Sequence, residues 1–199
     1  MIDRARQILN AAATLFYERG FHNVGMDDIG RVVGITGPAI YRHFSSKDEI
    51  LATLFNEAID EIITRAEPHE DPHIELDRLI LAQTEFAVTH TELVSIYTRD
   101  DRELTHPWRN LFLRRARRHE DHWVELLRKC YPDIEEARAV WAARAVLGMI
   151  HSTARWPKDP AEIAEVVELL GSMAKRALAV LDDPDVSPLV ERPQDLSTA

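Results

Sequence analysis

GFHNVGMDDIGRVVGITGPAIYRHFSSKDEIL, residues 20–51, sets two short helical segments around a glycine-marked turn. Gly20 stops a preceding helix, and Gly25 stands where an N-cap belongs, just ahead of an acidic first turn at Asp27 and Asp28. Gly34 supplies the backbone freedom of a helix end. Thr36 then offers its hydroxyl as N-cap to a second helix, with Pro38 in its first turn, where a missing N–H costs little. Ile29, Val32, Val33, Ile35, Ile40 and Phe44 fill the angle between the two helices, so a helix-turn-helix is expected from Gly25 to Phe44. Tyr41, Arg42, His43 and Lys47 are left for outside contacts. A phenol, an imidazole and an ammonium within seven positions form a donor set suited to phosphate oxygens. Gly37, Pro38 and Ala39 carry no side-chain donor, so base reading there relies on thymine methyls, close backbone approach or groove shape. Arg42 is the one candidate for a guanine contact, with phosphate contact equally open. Gly30, inside the first helix, is expected to cost up to about 1 kcal/mol relative to Ala.

The run from Gly20 through Gly34, Thr36 and Ile40-Tyr41-Arg42-His43-Phe44 to Lys47 resembles the N-terminal domain of the tetracycline-repressor (TetR) family. The resemblance implies that Thr36 to Phe44 is the recognition helix, that Tyr41, His43 and Lys47 hold the phosphate backbone, and that Ile40 and Phe44 are core. It further implies a palindromic double-stranded DNA operator. A C-terminal domain that senses a small molecule and dimerises through its last two helices follows from the same resemblance. The sequence departs from the family pattern at Gly25, where Thr or Ser usually caps, at Gly30, where Ala is usual, and at Gly37-Pro38, where a polar residue and Gly are common.

A net charge of −10 over 199 residues argues against DNA until its distribution is considered. Residues 1–47 hold six Lys or Arg against four acids, a balance of +2 that leaves −12 to the remainder. Only the first segment suits DNA, and so weak a patch calls for two copies on two half-sites. The chain is 45% hydrophobic, enough for a real core. Its single cysteine, Cys130, excludes an intrachain disulfide, and no run approaches a membrane span, so a cytoplasmic protein without membrane contact is expected.

Beyond Lys47 the apolar spacing is helical nearly to the end, which makes the protein all-α, with about nine helices. A helix-turn-helix DNA-binding domain at 1–47, a ligand-binding and dimerisation domain at 48–182 and a flexible tail at 183–199 are expected. Helices are expected from Asp48 to about Ala66, about Ile74 to Thr89, around Leu93 to Leu104, Pro107 to Cys130, about Asp133 to Arg155 and Pro160 to Leu181. Small residues on the last two (Ala137, Ala142, Ala145 and Gly148; Ala164, Gly171, Ala174 and Ala177) permit close helix approach. They suit either a core or the dimer interface that the resemblance implies.

Phe86, Tyr97, Trp108, Phe112, Trp123 and Trp141 are candidate walls for a small hydrophobic effector, possible classes being a lipid or an acyl-CoA. Arg144 and His151 share a helical face with Trp141, Gly148 and Arg155, suiting an acidic ligand head or a salt bridge across a dimer. Arg114-Arg115-Ala116-Arg117-Arg118 is the one dense basic block. Nearby acids favour a solvated, ion-paired face over phosphate binding there. His119, His122, Glu70 and His73 raise a metal question, but only Glu70 and His73 match a Glu-x-x-His motif and Pro72 interrupts it. No cofactor is expected, and no nucleophile, P-loop or dinucleotide fingerprint supports an enzyme. The competing possibility is a helical small-molecule or metal-binding protein without a DNA role.

Overall fold

The computed structural model describes residues 3–156 and 162–182, so the expected tail at 183–199 and a helix start at Pro160 lie outside the described residues. Nine α-helices and no strand occur among the described residues: α1 (Arg4–Arg19), α2 (Met26–Val33), α3 (Gly37–Ile40), α4 (Lys47–Ala66), α5 (Pro72–Thr89), α6 (Thr91–Asp100), α7 (Trp108–Cys130), α8 (Glu136–His151) and α9 (Ile163–Ala179). α4 ends at Ala66, as expected, and α5 starts at Pro72, two residues earlier than expected, where the missing N–H is harmless and the Asp71 carboxylate caps the helix by accepting from His73 N–H at 2.8 Å.

Two apolar cores result, and α4 passes from one to the other. The first joins Ile8, Phe16, Ile29, Ile40 and Phe44 to Ile50, Leu51 and Phe55 of α4, and is closed from behind by Ile96, Leu104 and Phe112. The second gathers Ile62 and Leu79 with Phe86, Trp123, Leu127, Ala143, Ile150, Leu170 and Ala174.

Backbone geometry explains the glycines of the turn. Gly34 sits in the left-handed region at φ +71° and ends α2, as expected. Gly30 behaves opposite to expectation: a Cβ there would lie 2.7 Å from the Ile35 carbonyl oxygen, because the chain folds back so closely that Ile35 N–H bonds Gly30 O at 2.9 Å. Its absent side chain is what lets α2 meet the turn. Thr36 occupies the N-cap position of α3 but its hydroxyl makes no capping bond. The α-helical part of the recognition segment is also shorter than Thr36 to Phe44. It ends at Ile40 and continues as tight turns, with His43 N–H bonded to Ile40 O at 2.8 Å.

Polar ties fasten this head to the helices behind it. Arg99 of α6 donates through Nη2 to Phe16 O at 2.6 Å and through Nη1 to Tyr17 O at 3.3 Å, satisfying carbonyls in the last turns of α1. The same guanidinium is held by the buried Asp100 carboxylate at 2.9 Å, which raises its pKa further. Asp48 at the start of α4 accepts from both the N–H and the hydroxyl of Thr105, at 2.7 and 2.8 Å.

Helix propensity alone makes Gly30→Ala stabilising by about 1 kcal/mol. The steric contact reverses the sign: the variant is expected to lose about 1–3 kcal/mol, as for other overpacked sites. Urea unfolding followed by circular dichroism measures it, and an unchanged or raised midpoint would refute the steric account.

Candidate nucleic-acid interface and ligand cavity

Ile40 and Phe44 are buried, which forces the residues between them outward. The side chains of Tyr41, 56% exposed, and of the exposed Arg42 and His43 have no hydrogen bond or ion pair among the described residues. Thr36 and Pro38 are exposed beside them, Ala39 is half-buried, and Gly37 is buried under Asp27, whose carboxylate occupies the space a Cβ would need. The expected cluster is therefore assembled on one face, except at Lys47. Its ammonium turns inward, donating to Phe21 O at 2.7 Å and Val24 O at 2.9 Å and lying 4.2 Å from the Phe21 ring centre. Burial lowers its pKa, against the raising influence of Asp48. At most one of its three N–H donors remains for a phosphate. Asp28 accepts from Gly25 N–H at 2.9 Å and from Arg31 at 3.0 Å, and both bonds lower its pKa. It stays ionised at the start of α2, where the helix dipole favours it.

Behind the head lies a cavity of about 330 Å³, at the small end for a ligand pocket. Each wall is a helical stripe: Phe55, Ala58, Ile59 and Ile62 from α4; Gln83 and Phe86 from α5; Leu113, Ala116, His119 and Glu120 from α7; Arg144, Leu147 and His151 from α8. Tyr97 of α6 and Phe112 of α7 complete it, with Phe55 set 5.6 Å from Tyr97 and 5.1 Å from Phe112 between ring centres. One polar network crosses the wall. Gln83 Oε1 accepts from His119 Nε2 at 3.0 Å, and Gln83 Nε2 donates to His151 Nε2 at 3.4 Å. One amide thus fixes opposite roles for the two bonded ring nitrogens, donor on His119 and acceptor on His151. Burial pushes both imidazoles down to about 4, with His122 and His151 adding to the effect on His119.

Of the expected cavity residues, Phe86, Tyr97, Phe112, Arg144 and His151 line it. Three do not. Trp123 is fully buried in the second core, Trp108 packs against the first, and Trp141 is 67% exposed on the outer face of α8. The common face drawn through Trp141, Arg144 and His151 is too wide: these residues straddle two sides of α8, and only the inner side meets the cavity. Arg144 is tied to Glu120, with contacts of 2.8 Å through Nε and 2.7 Å through Nη2. Together with a neutral His151, this removes the basis for a buried acidic ligand head. Sequence reasoning missed Gln83 and His119 as cavity groups. The signal was available in the stripe 112, 113, 116, 119, 120 on α7, but His119 was weighed only as a metal ligand beside His122. Among the described residues no group of three or more His, Cys, Asp or Glu side chains is placed to hold a metal.

The last two helices keep apolar side chains outside. Trp141 with Ala137, Ala145 and Gly148 makes an exposed stripe on α8, and Leu169, Met173, Ala177 and Val180 continue one along α9 and the turn after it. Ala142 and Gly171 are half-buried and Ala174 is in the core, so the small residues divide between packing and surface.

A helix-turn-helix head carried on an all-helical body with an internal cavity defines the class of helix-turn-helix regulatory proteins. Residues 8–54 match the family described as bacterial regulatory proteins, tetR family, and residues 69–177 match the tetracyclin repressor-like C-terminal domain. The chain belongs to the TetR family. It is 37% identical over 62 residues to the transcriptional activator FasR of Mycolicibacterium smegmatis, covering 31% of this chain and 28% of FasR. It is 28% identical over 129 residues to the transcriptional repressor KstR2 of Mycobacterium tuberculosis, covering 62% and 64%. The chain thus spans between about a quarter and two thirds of these relatives. The crystal structure of the regulator PfmR from Thermus thermophilus superposes with a TM-score of 0.73 at 26% identity, over 89% of this chain and 98% of that one. AibR, solved with isovaleryl coenzyme A and operator DNA, shares the fold at TM-score 0.74 and 20% identity, over 86% and 97%. No helix of the described residues is long and apolar enough to cross a membrane.

The depressed imidazoles make stability pH-dependent. Their folded pKa lies near 4 against 6.5 in the open chain, so the unfolded state takes up protons first as pH falls. Stability is therefore full above about pH 6.5 and declines toward pH 4, by up to about 3 kcal/mol for each ring. Unfolding free energies at pH 7 and 4.5 are expected to differ less in His119→Gln and His151→Gln than in the parent; equal slopes would contradict the assignment.

Proposed function

We propose that the protein is a ligand-responsive transcriptional regulator, a cytoplasmic homodimeric repressor that binds a palindromic double-stranded operator and leaves it when a small hydrophobic effector fills the cavity. The observation that carries this reading is the exposed, unpartnered set Tyr41, Arg42 and His43, held outward between two buried anchors. Tyr41 and His43 engage phosphate oxygens, and Arg42 reads either a guanine or a phosphate. Pro38 and the half-buried Ala39 present a short apolar surface to the groove, with Thr36 at its edge, while Gly37 stays buried under Asp27. Lys47 acts chiefly by joining α4 to the turn before α2, with a single donor left over.

Dimerisation is assigned to the exposed stripes of α8 and α9, which form a continuous apolar surface when paired with a second copy. Two heads then address successive major-groove faces about 34–36 Å apart. The cavity wall supplies the coupling. Phe55, Tyr97 and Phe112 face the cavity and also pack on the head's core, so an occupant that moves them moves the head. That AibR was solved with both a coenzyme A thioester and operator DNA supports one chain serving both partners.

DNA fragments flanking the protein's own gene provide the assay. Tyr41→Phe and Arg42→Ala are each expected to weaken binding about tenfold and leave thermal stability unchanged. Lys47→Ala is expected to lower the melting temperature as well, separating its structural part from any DNA contact. If the parent protein shifts no such fragment at low salt, the regulator reading is wrong. For the assembly, Trp141→Glu combined with Leu169→Asp is expected to yield monomers in sedimentation equilibrium. Persistence of the dimer at micromolar concentration would place the interface elsewhere.

A further inference from the structure

Charge is distributed unevenly across the edge of the cavity. Of the basic side chains that line it, Arg144 is committed to Glu120, His119 and His151 are tied through Gln83, and only the exposed Arg117 has no partner among the described residues. Both rings are uncharged at neutral pH. A carboxylate drawn in beside Gln83 would lose its hydration and meet the neutral His119 and His151, an unfavourable exchange.

Outside, the balance is reversed. Arg114, Arg117 and Arg118 occupy one turn of α7 at i, i+3 and i+4, and all three are exposed. None has an ion pair or a side-chain hydrogen bond among the described residues. Of the acids near the block, Glu120 takes Arg144, Asp100 takes Arg99 and Glu103 takes His22, while Asp60 neutralises Arg115 alone. Asp121, one turn further along α7, makes no ion pair with Arg114, Arg117 or Arg118 among the described residues. Arg114 faces both Arg117 and Arg118 at this spacing, so like charges repel along the helix, and the arrangement stands in a body that is otherwise strongly acidic. Arg117 also lines the cavity, so the basic turn adjoins the apolar space directly.

We propose that Arg114, Arg117 and Arg118 form an external polyanion subsite of the effector cavity, and that the effector is an apolar group joined to a phosphorylated head. This rests on the cavity being the effector site. The apolar group enters between Phe86, Tyr97, Phe112 and Leu147, while phosphate oxygens stay outside and accept from the three guanidinium forks. The cavity's volume enforces the division, because a space of about 330 Å³ has no room for a nucleotide-sized head in addition to an apolar group. A carboxylic acid of the same apolar group is then a poor effector. It lacks the part the arginines hold and brings a charge that the inner wall does not neutralise.

Calorimetric titration of the full chain with octanoyl-coenzyme A, octanoate, octanol, coenzyme A and dioctanoyl phosphatidate tests the proposal. Octanoyl-coenzyme A or dioctanoyl phosphatidate is expected to bind at least about tenfold more tightly than octanoate, with the gap shrinking at about 0.5 M salt. Whichever of the two binds identifies the head as a nucleotide or a lipid phosphate. The combined variant Arg114→Gln, Arg117→Gln and Arg118→Gln is expected to lose that advantage while keeping its melting temperature and its affinity for octanol. Equal binding of octanoate, unchanged binding by the triple variant, or no binding of either phosphorylated probe would overturn the subsite. Ala116→Leu, or Ala116→Trp where it folds, reports separately on the cavity. If octanol and the phosphorylated probe both bind these variants as they bind the parent, the cavity reading itself fails.

Discussion

The packing of Phe55, Tyr97 and Phe112 against one another is the constraint on which the rest of the molecule depends. These rings come from α4, α6 and α7, and their centres lie between 5.1 and 6.1 Å apart. They close the back of the head's core and at the same time form a wall of the cavity. A close-packed interior does not absorb a displaced ring locally. An occupant on one side therefore meets the head on the other, with no intervening layer of solvent or loop.

Arg99 extends the same constraint through polar groups. It lies two residues beyond Tyr97 on α6, and its guanidinium holds carbonyl oxygens in the last turns of α1. Asp100, buried beside it, fixes the fork in place. At the other side of the head, Asp48 grips the backbone and hydroxyl of Thr105 in the segment that leads into α7. A shift of α6 pulls on α1, and a shift of the α6–α7 connection pulls on the start of α4.

The head was legible because its signals are local. Gly34 announces a left-handed helix end, and the alternation of Ile40 and Phe44 with Tyr41, Arg42 and His43 separates inside from outside within a single turn. Lys47 was not legible in this way, since its partners are carbonyls 23 and 26 residues earlier in the chain. Gly30 misled for a related reason. Its helix propensity is a property of one residue, whereas the carbonyl that excludes a side chain belongs to Ile35, beyond the turn. The cavity was half legible. Helical spacing finds a stripe but does not say which of two stripes faces inward, so Arg144 and His151 were placed and Trp141 was misplaced. Gln83 gave no sign at all, being one polar residue on an apolar face until two histidines from other helices meet it.

The electrostatics of the head bear on how a regulator of this kind reaches useful affinity. Residues 1–47 carry only a small positive excess, and Lys47 spends two of its donors within the fold. Arg6 and Arg31 are likewise engaged, with Glu57 and Asp28. What remains on the recognition face is Tyr41, Arg42 and His43, too few phosphate contacts for one copy to hold DNA at physiological salt. In the dimer proposed above, doubling the contacts raises affinity without raising the charge of either head. In that proposal binding also depends on the distance between heads, which a displacement of the shared aromatic wall would change. A weakly charged head is thus suited to control: a head bound tightly by charge alone would stay on DNA whatever happened in the cavity.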